Sequence, residues 1–102
     1  VSFFGRLNVV VGQTPQSLTV SSTSVEIVAA NSLRAAIVMA NVGTEDCWIT
    51  ADVTAVVNKG GFLGKNGGSL AMDSTFLTRG ALNGIAVSAK DTTISFQEFH
   101  AG

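Results

Sequence analysis

The chain has 102 residues, 46% of them hydrophobic and only 13% charged, with a net charge of −1. That length fits one domain, and the charge content falls well below the roughly 25% of an average soluble domain. Its six basic residues, Arg6, Arg34, Lys59, Lys65, Arg79 and Lys90, stand singly, which argues against the clustered Lys and Arg of a nucleic-acid-binding surface.

Short runs of Val, Ile, Thr and Ser between Gly, Asn and Asp predict an all-β chain of many strands joined by turns. Val1 to Gly5 carry two aromatics, Phe3 and Phe4, outside any strand alternation. Together with the apolar run Leu7 to Val11 they suggest that residues 1–16 form an N-terminal arm and first strand, and that 17–102 form the domain proper. Gln13 to Gln16 read as a loop. Leu18 and Val20 alternate with Thr19 and Ser21, so one side of this strand is buried. Val25 to Ala29 and Arg34 to Ala40 are the next strands, with Asn31-Ser32 between them. The second is apolar on both faces, the pattern of a strand covered on both sides. A helical stripe through Val25, Val28, Ala29, Leu33, Ala36, Ile37 and Ala40 competes with this reading, and the Ala-rich composition supports it. Asn31-Ser32 and the β-branched flanks favour strand-turn-strand. Cys47 to Thr50 follows with the only Trp, then Phe62-Leu63. Lys65 to Gly68 is a turn signal, because Asn-Gly accepts positive φ at both central positions. Leu70 to Met72, Ile85 to Ala89 and Thr92 to Phe99 complete the strands, with Asn83-Gly84 read as a further turn.

Candidate chemistry fails on partners or spacing. His100 is the only histidine and nothing in sequence brings it to Cys47, so a small buried thiol is expected at that position. Structural zinc needs four ligands of the Cys/His kind, and the carboxylates match no calcium loop. Gly60-Gly61-Phe62-Leu63-Gly64-Lys65 departs from a phosphate loop, with Lys59 at the glycine position and Asn66 at the hydroxyl position. No catalytic residue, metal or cofactor is expected. No apolar run reaches the roughly 20 residues of a membrane-spanning helix, and the first residues lack a signal-peptide pattern. The lone Cys47 closes no internal disulfide. No membrane, no direct nucleic acid and a cytoplasmic origin are therefore expected. Arg34 opens a mainly apolar strand and Glu98 ends one, so the two are a candidate structural polar pair. Trp48 is a candidate platform for a glycan or a buried core ring. The low charge points to surface covered by a partner, with Phe3, Phe4 and Arg34 as candidate assembly contacts.

Ser24-Val25 through Asn31-Ser32-Leu33-Arg34, then Ile37-Val38-Met39-Ala40-Asn41-Val42-Gly43, resembles a pattern in small virion proteins of tailed bacteriophages. Gly60-Gly61-Phe62-Leu63, Gly80 to Ala86 and Thr92 to Glu98 are similar to its later pieces. The resemblance covers most of the chain after about Leu18. It implies a compact, jelly-roll-like β-sandwich or β-barrel on a phage particle, made in the host cytoplasm. Among such proteins the capsid decoration (cement) proteins match best in size. The resemblance thus implies a homotrimer that binds the major capsid protein on the assembled shell. A head-fibre, tail or base-plate module that binds host glycans is the alternative.

Overall fold

The computed structural model describes residues 10–73 and 77–101. Nine strands and no helix occupy them: β1 (Val10–Gly12), β2 (Gln16–Val20), β3 (Val25–Val28), β4 (Arg34–Asn41), β5 (Cys47–Ala51), β6 (Gly61–Leu63), β7 (Ser69–Met72), β8 (Leu82–Ala86) and β9 (Thr92–Ala101). The chain is all-β, and the helix that competed for residues 25–40 does not form. Asn31 makes the break. Its carbonyl accepts the Arg34 N–H at 3.1 Å and its Oδ1 accepts the Leu33 N–H at 3.0 Å. The side chain thus closes a turn that a helix would have to run through. Phe3 and Phe4 lie outside the described residues. Residues 10–16 are built into the sandwich, because β1 pairs with the end of β9 and β2 with its beginning.

The strands form two antiparallel sheets. In the first, β1 and β2 share one edge of β9, and β4 and β7 follow on the other side. The second has the order β3-β8-β5-β6. Pairing obeys a simple rule: β2 with β9, β3 with β8, β4 with β7 and β5 with β6. The chain is therefore one long hairpin ribbon, doubled over so that successive parts lie in different sheets. Pro15 sits where β1 gives way to β2, on an edge where its missing N–H costs no ladder bond.

Alternation then fills the space between the sheets. Ile37 and Met39 of β4, Ile94 and Phe96 of β9, Cys47 and Ile49 of β5, and Leu82 and Ala86 of β8 all point inward and are buried in one core cluster. Gly84 lies in the same inward row of β8. A Cβ there would stand 2.6 Å from Ile27 Cδ1 and 3.2 Å from Ile49 Cδ1. Asn83-Gly84 is thus strand, not the turn expected from its sequence; its glycine is needed for close approach rather than for φ. The Lys65–Gly68 turn does form, with φ of 60° at Asn66 and 119° at Gly67. The expectation that β4 is covered on both faces needs correction. Ile37 and Met39 are buried, whereas Val38 is 43% exposed.

Asn41 ends β4 and is fully buried. Its Nδ2 donates to the carbonyls of Glu45 (2.7 Å) and Leu63 (3.0 Å), and its Oδ1 accepts from Gly43 N (3.1 Å) and Thr92 Oγ1 (2.6 Å). One amide thus ties β4, the loop after it, β6 and the start of β9. Gly43 completes the clamp, because a Cβ there would overlap the Thr92 side chain and lie 2.7 Å from Thr93 N. Asn41→Ala leaves several buried groups without partners, at about 1–3 kcal/mol each. We expect it to lower the urea unfolding free energy by about 3 kcal/mol or more. A loss under about 1 kcal/mol, the scale of a single ordinary hydrogen bond, contradicts the clamp.

Candidate functional site

Arg34 begins β4 with no exposed surface. Its Nε donates to Glu98 Oε2 at 2.7 Å, and the Glu98 side chain is 17% exposed. Nη1 donates to the carbonyls of Thr78 (2.8 Å) and Gly80 (2.9 Å), and Nη2 to that of Ala29 (2.7 Å). The planar guanidinium serves four acceptors at once, which a lysine ammonium on a flexible stem does not reproduce. Arg34 and Glu98 are thus a structural pair. As a candidate assembly contact Arg34 is corrected: burial leaves it no surface to offer a neighbouring molecule. The polar layer continues to His100, whose Nε2 lies 2.8 Å from Asn31 Nδ2. Asn31 Oδ1 is already engaged by Leu33 N, so the amide donates and His100 accepts.

Cys47 starts β5 at the other end of the sandwich. Ala51, four residues further along β5, pairs with Leu82, which also pairs with Val28 at the end of β3. At the usual rise this puts Cys47 about 13 Å along the sheet from the end where Asn31 holds His100. The Cys47 Sγ instead lies 3.8 Å from the Trp48 carbonyl. Burial pushes its pKa up from 9.0 to about 11, against a smaller lowering by the backbone of Ile85. Among the described residues no three His, Cys, Asp or Glu side chains group as metal ligands would.

Trp48 points away from the core, between Phe62 of β6 and Ile85 of β8. It is half-buried, and its ring centroid lies 5.5 Å from that of Phe62, the planes inclined at 52°. Phe62 is the more open ring, 57% exposed. The sequence singles out Trp48 alone; Phe62 joins it only through the β5–β6 register, which no local pattern shows.

Two depressions lie among the described residues. One, of about 340 Å³, lies on the first sheet, with Val38, Ala40, Ala71, Ser95 and Gln97 among its lining residues and Pro15 at its edge. The other, of about 270 Å³, opens beside Ile49, Leu70, Met72 and Leu82, with Thr50 as the polar side chain among the described residues lining it. Neither holds a charged side chain among its lining residues. The converging polar groups of a small-molecule site are not assembled in either. No protein-family model, no curated protein and no solved structure matches this chain.

Removing one partner of a buried ion pair typically costs about 3–5 kcal/mol. Arg34→Ala is expected to destabilise by that order in urea unfolding, and Arg34→Lys by less, because one ammonium keeps the charge but not the fork. Equal stability of Arg34→Ala and the parent chain contradicts the assignment. For Cys47 the sign is also set. The folded-state value is raised, so stability is intact below the ordinary thiol value of 9.0 and falls as pH rises toward about 11. A thiol reagent at pH 8 should label Cys47 only as fast as the chain unfolds; immediate labelling of the folded protein contradicts its burial.

Proposed function

We propose that this chain is a structural virion protein, without enzymatic activity, that decorates an assembled phage capsid. It acts there as a cement protein, as a homotrimer bound to the major capsid protein. The observation that carries the reading is the combination of a ribbon-wound sandwich with two central strands, β4 and β9, whose outward positions carry no charge. Pairing of β2–β9, β3–β8, β4–β7 and β5–β6 supports reading the sandwich as jelly-roll-like, an architecture met in viral capsid and lectin domains. Fold leaves function open; the uncharged outer face of β4 and β9 turns the reading toward assembly. The basic residues other than buried Arg34 that fall within the described chain, Lys59, Lys65, Arg79 and Lys90, are exposed and lie in separate connections, an arrangement unsuited to a phosphate backbone.

A protein that binds only the assembled shell stabilises it by mass action, and repeated weak contacts add through multivalency. Purified protein should bind expanded capsids and raise their melting temperature. Failure to bind them, or binding without stabilisation, counts against the cement role. The Trp48–Phe62 pair favours the glycan-binding module as a second reading, since exposed rings offer sugar-stacking surface. That reading requires a glycan-array signal lost in Trp48→Ala and Phe62→Ala.

A further inference from the structure

The outer side of the second sheet is divided by the chain itself. After β5 the backbone turns at Asp52, where φ is 66°, and folds back over β8 toward the start of β3. The Val53 carbonyl accepts from Asn83 Nδ2 at 2.9 Å, and the Ala55 N–H donates to Ser24 Oγ at 2.9 Å. Ala55 is buried by this contact. One end of the face is thus covered. The other end is left to Phe62, Trp48 and Ile85, which stand side by side on β6, β5 and β8.

Phe62 lies against a residue that has no side chain. A Cβ on Gly64 would stand 3.3 Å from Phe62 Cε2, and Phe62 remains 57% exposed. The next residue, Lys65, donates its backbone N–H to Asp46 Oδ1 at 2.9 Å. Asp46 precedes Trp48 by two residues, the spacing that returns a strand to the same face. Gly64-Lys65 therefore brings the Asp46 carboxylate beside the Phe62 ring, with one oxygen fixed by the backbone and the second left to accept. Thr50, opposite Asn83 and two residues beyond Trp48, adds a hydroxyl on the same side.

We propose that Phe62, Trp48 and Asp46 bind a neutral saccharide, with one pyranose ring on the Phe62 face and its hydroxyl edge toward the carboxylate. The inference deepens the second, glycan-binding reading and rests on it, but not on the capsid. Size favours a compact ligand. Asp46 to Thr50 spans about 13 Å along β5, and β6, β5 and β8 span about 10 Å across. That floor of about 130 Å² falls far below the 800 Å² or so that each partner gives to a standard protein interface. Chemistry favours a sugar. The negative face of an aromatic ring attracts the slightly positive C–H groups of a pyranose face. The sugar hydroxyls need an acceptor, which a fixed carboxylate supplies strongly. A sugar acid would set a second carboxylate against Asp46, so the site selects neutral sugars.

Trp48 is the only tryptophan in the chain, so its fluorescence reports on this site alone. The test titrates the full chain with methyl glucoside, methyl galactoside and N-acetylglucosamine, with sialyllactose and choline as charged probes. At least one neutral sugar should saturate the signal with a Kd in the millimolar range, as suits an open site. Phe62→Ala should abolish the response while urea unfolding stays near that of the parent, because the ring is outside the core. Asp46→Asn keeps an oxygen for the Lys65 N–H and should weaken binding about tenfold, the difference between a charged and a neutral acceptor. Val38→Thr, on the other sheet, should leave binding unchanged. The inference is overturned if no neutral sugar binds, if sialyllactose or choline binds in preference, or if binding survives Phe62→Ala. A glycan signal that needs both rings but is confined to acidic sugars, or is indifferent to Asp46→Asn, sinks this inference and leaves the glycan-binding reading standing. Absence of any glycan signal sinks both.

Discussion

A guanidinium with no exposed surface must find acceptors for most of the N–H groups it carries, and Arg34 finds them on segments far apart in the chain. Ala29 lies before β4, Thr78 and Gly80 between β7 and β8, and Glu98 near the end of β9. A buried charge costs several kcal/mol unless it is paired and hydrogen-bonded. The cost therefore falls on any arrangement of these segments except the one observed. The pair acts as a register device, because one residue of slip along β9 would turn Glu98 to the other face of the sheet.

Asn41 does the same work at the opposite end of β4 without a charge. Eight residues of strand thus run between two polar clamps. Between the clamps the strand has only to supply apolar side chains to the core, and Ile37 and Met39 do so. Its other face is left free. Val38 and Ala40 face outward, yet they are not the Lys, Glu or Thr that a solvated strand usually carries. That mismatch between local burial and local composition is the main structural reason to look for a partner.

The two sheets differ in what they present. The outer side of the β5–β6–β8 sheet offers a small aromatic cluster, Trp48 with Phe62, next to Ile85. The outward positions of β4 and β9 in the other sheet carry Ala36, Val38, Ala40, Ser95, Gln97 and Phe99, none of them charged.

Local patterning in the sequence was enough for the all-β class, most strands, the Asn66-Gly67 turn and the Arg34–Glu98 pairing. Each depends on period-two alternation, turn chemistry or the cost of burying a charge, all of which act over a few residues or admit few partners. Other features waited for the tertiary structure. Whether Gly84 bends the chain or lets Ile27 and Ile49 close over it depends on the opposite strand, so Asn83-Gly84 misled. Whether β4 is covered on one face or two depends on what lies beyond it, and apolar composition reads alike in both cases. The burial of Arg34 and the meeting of Phe62 with Trp48 likewise arise from strand order, because contacts between residues far apart in the chain leave no local trace.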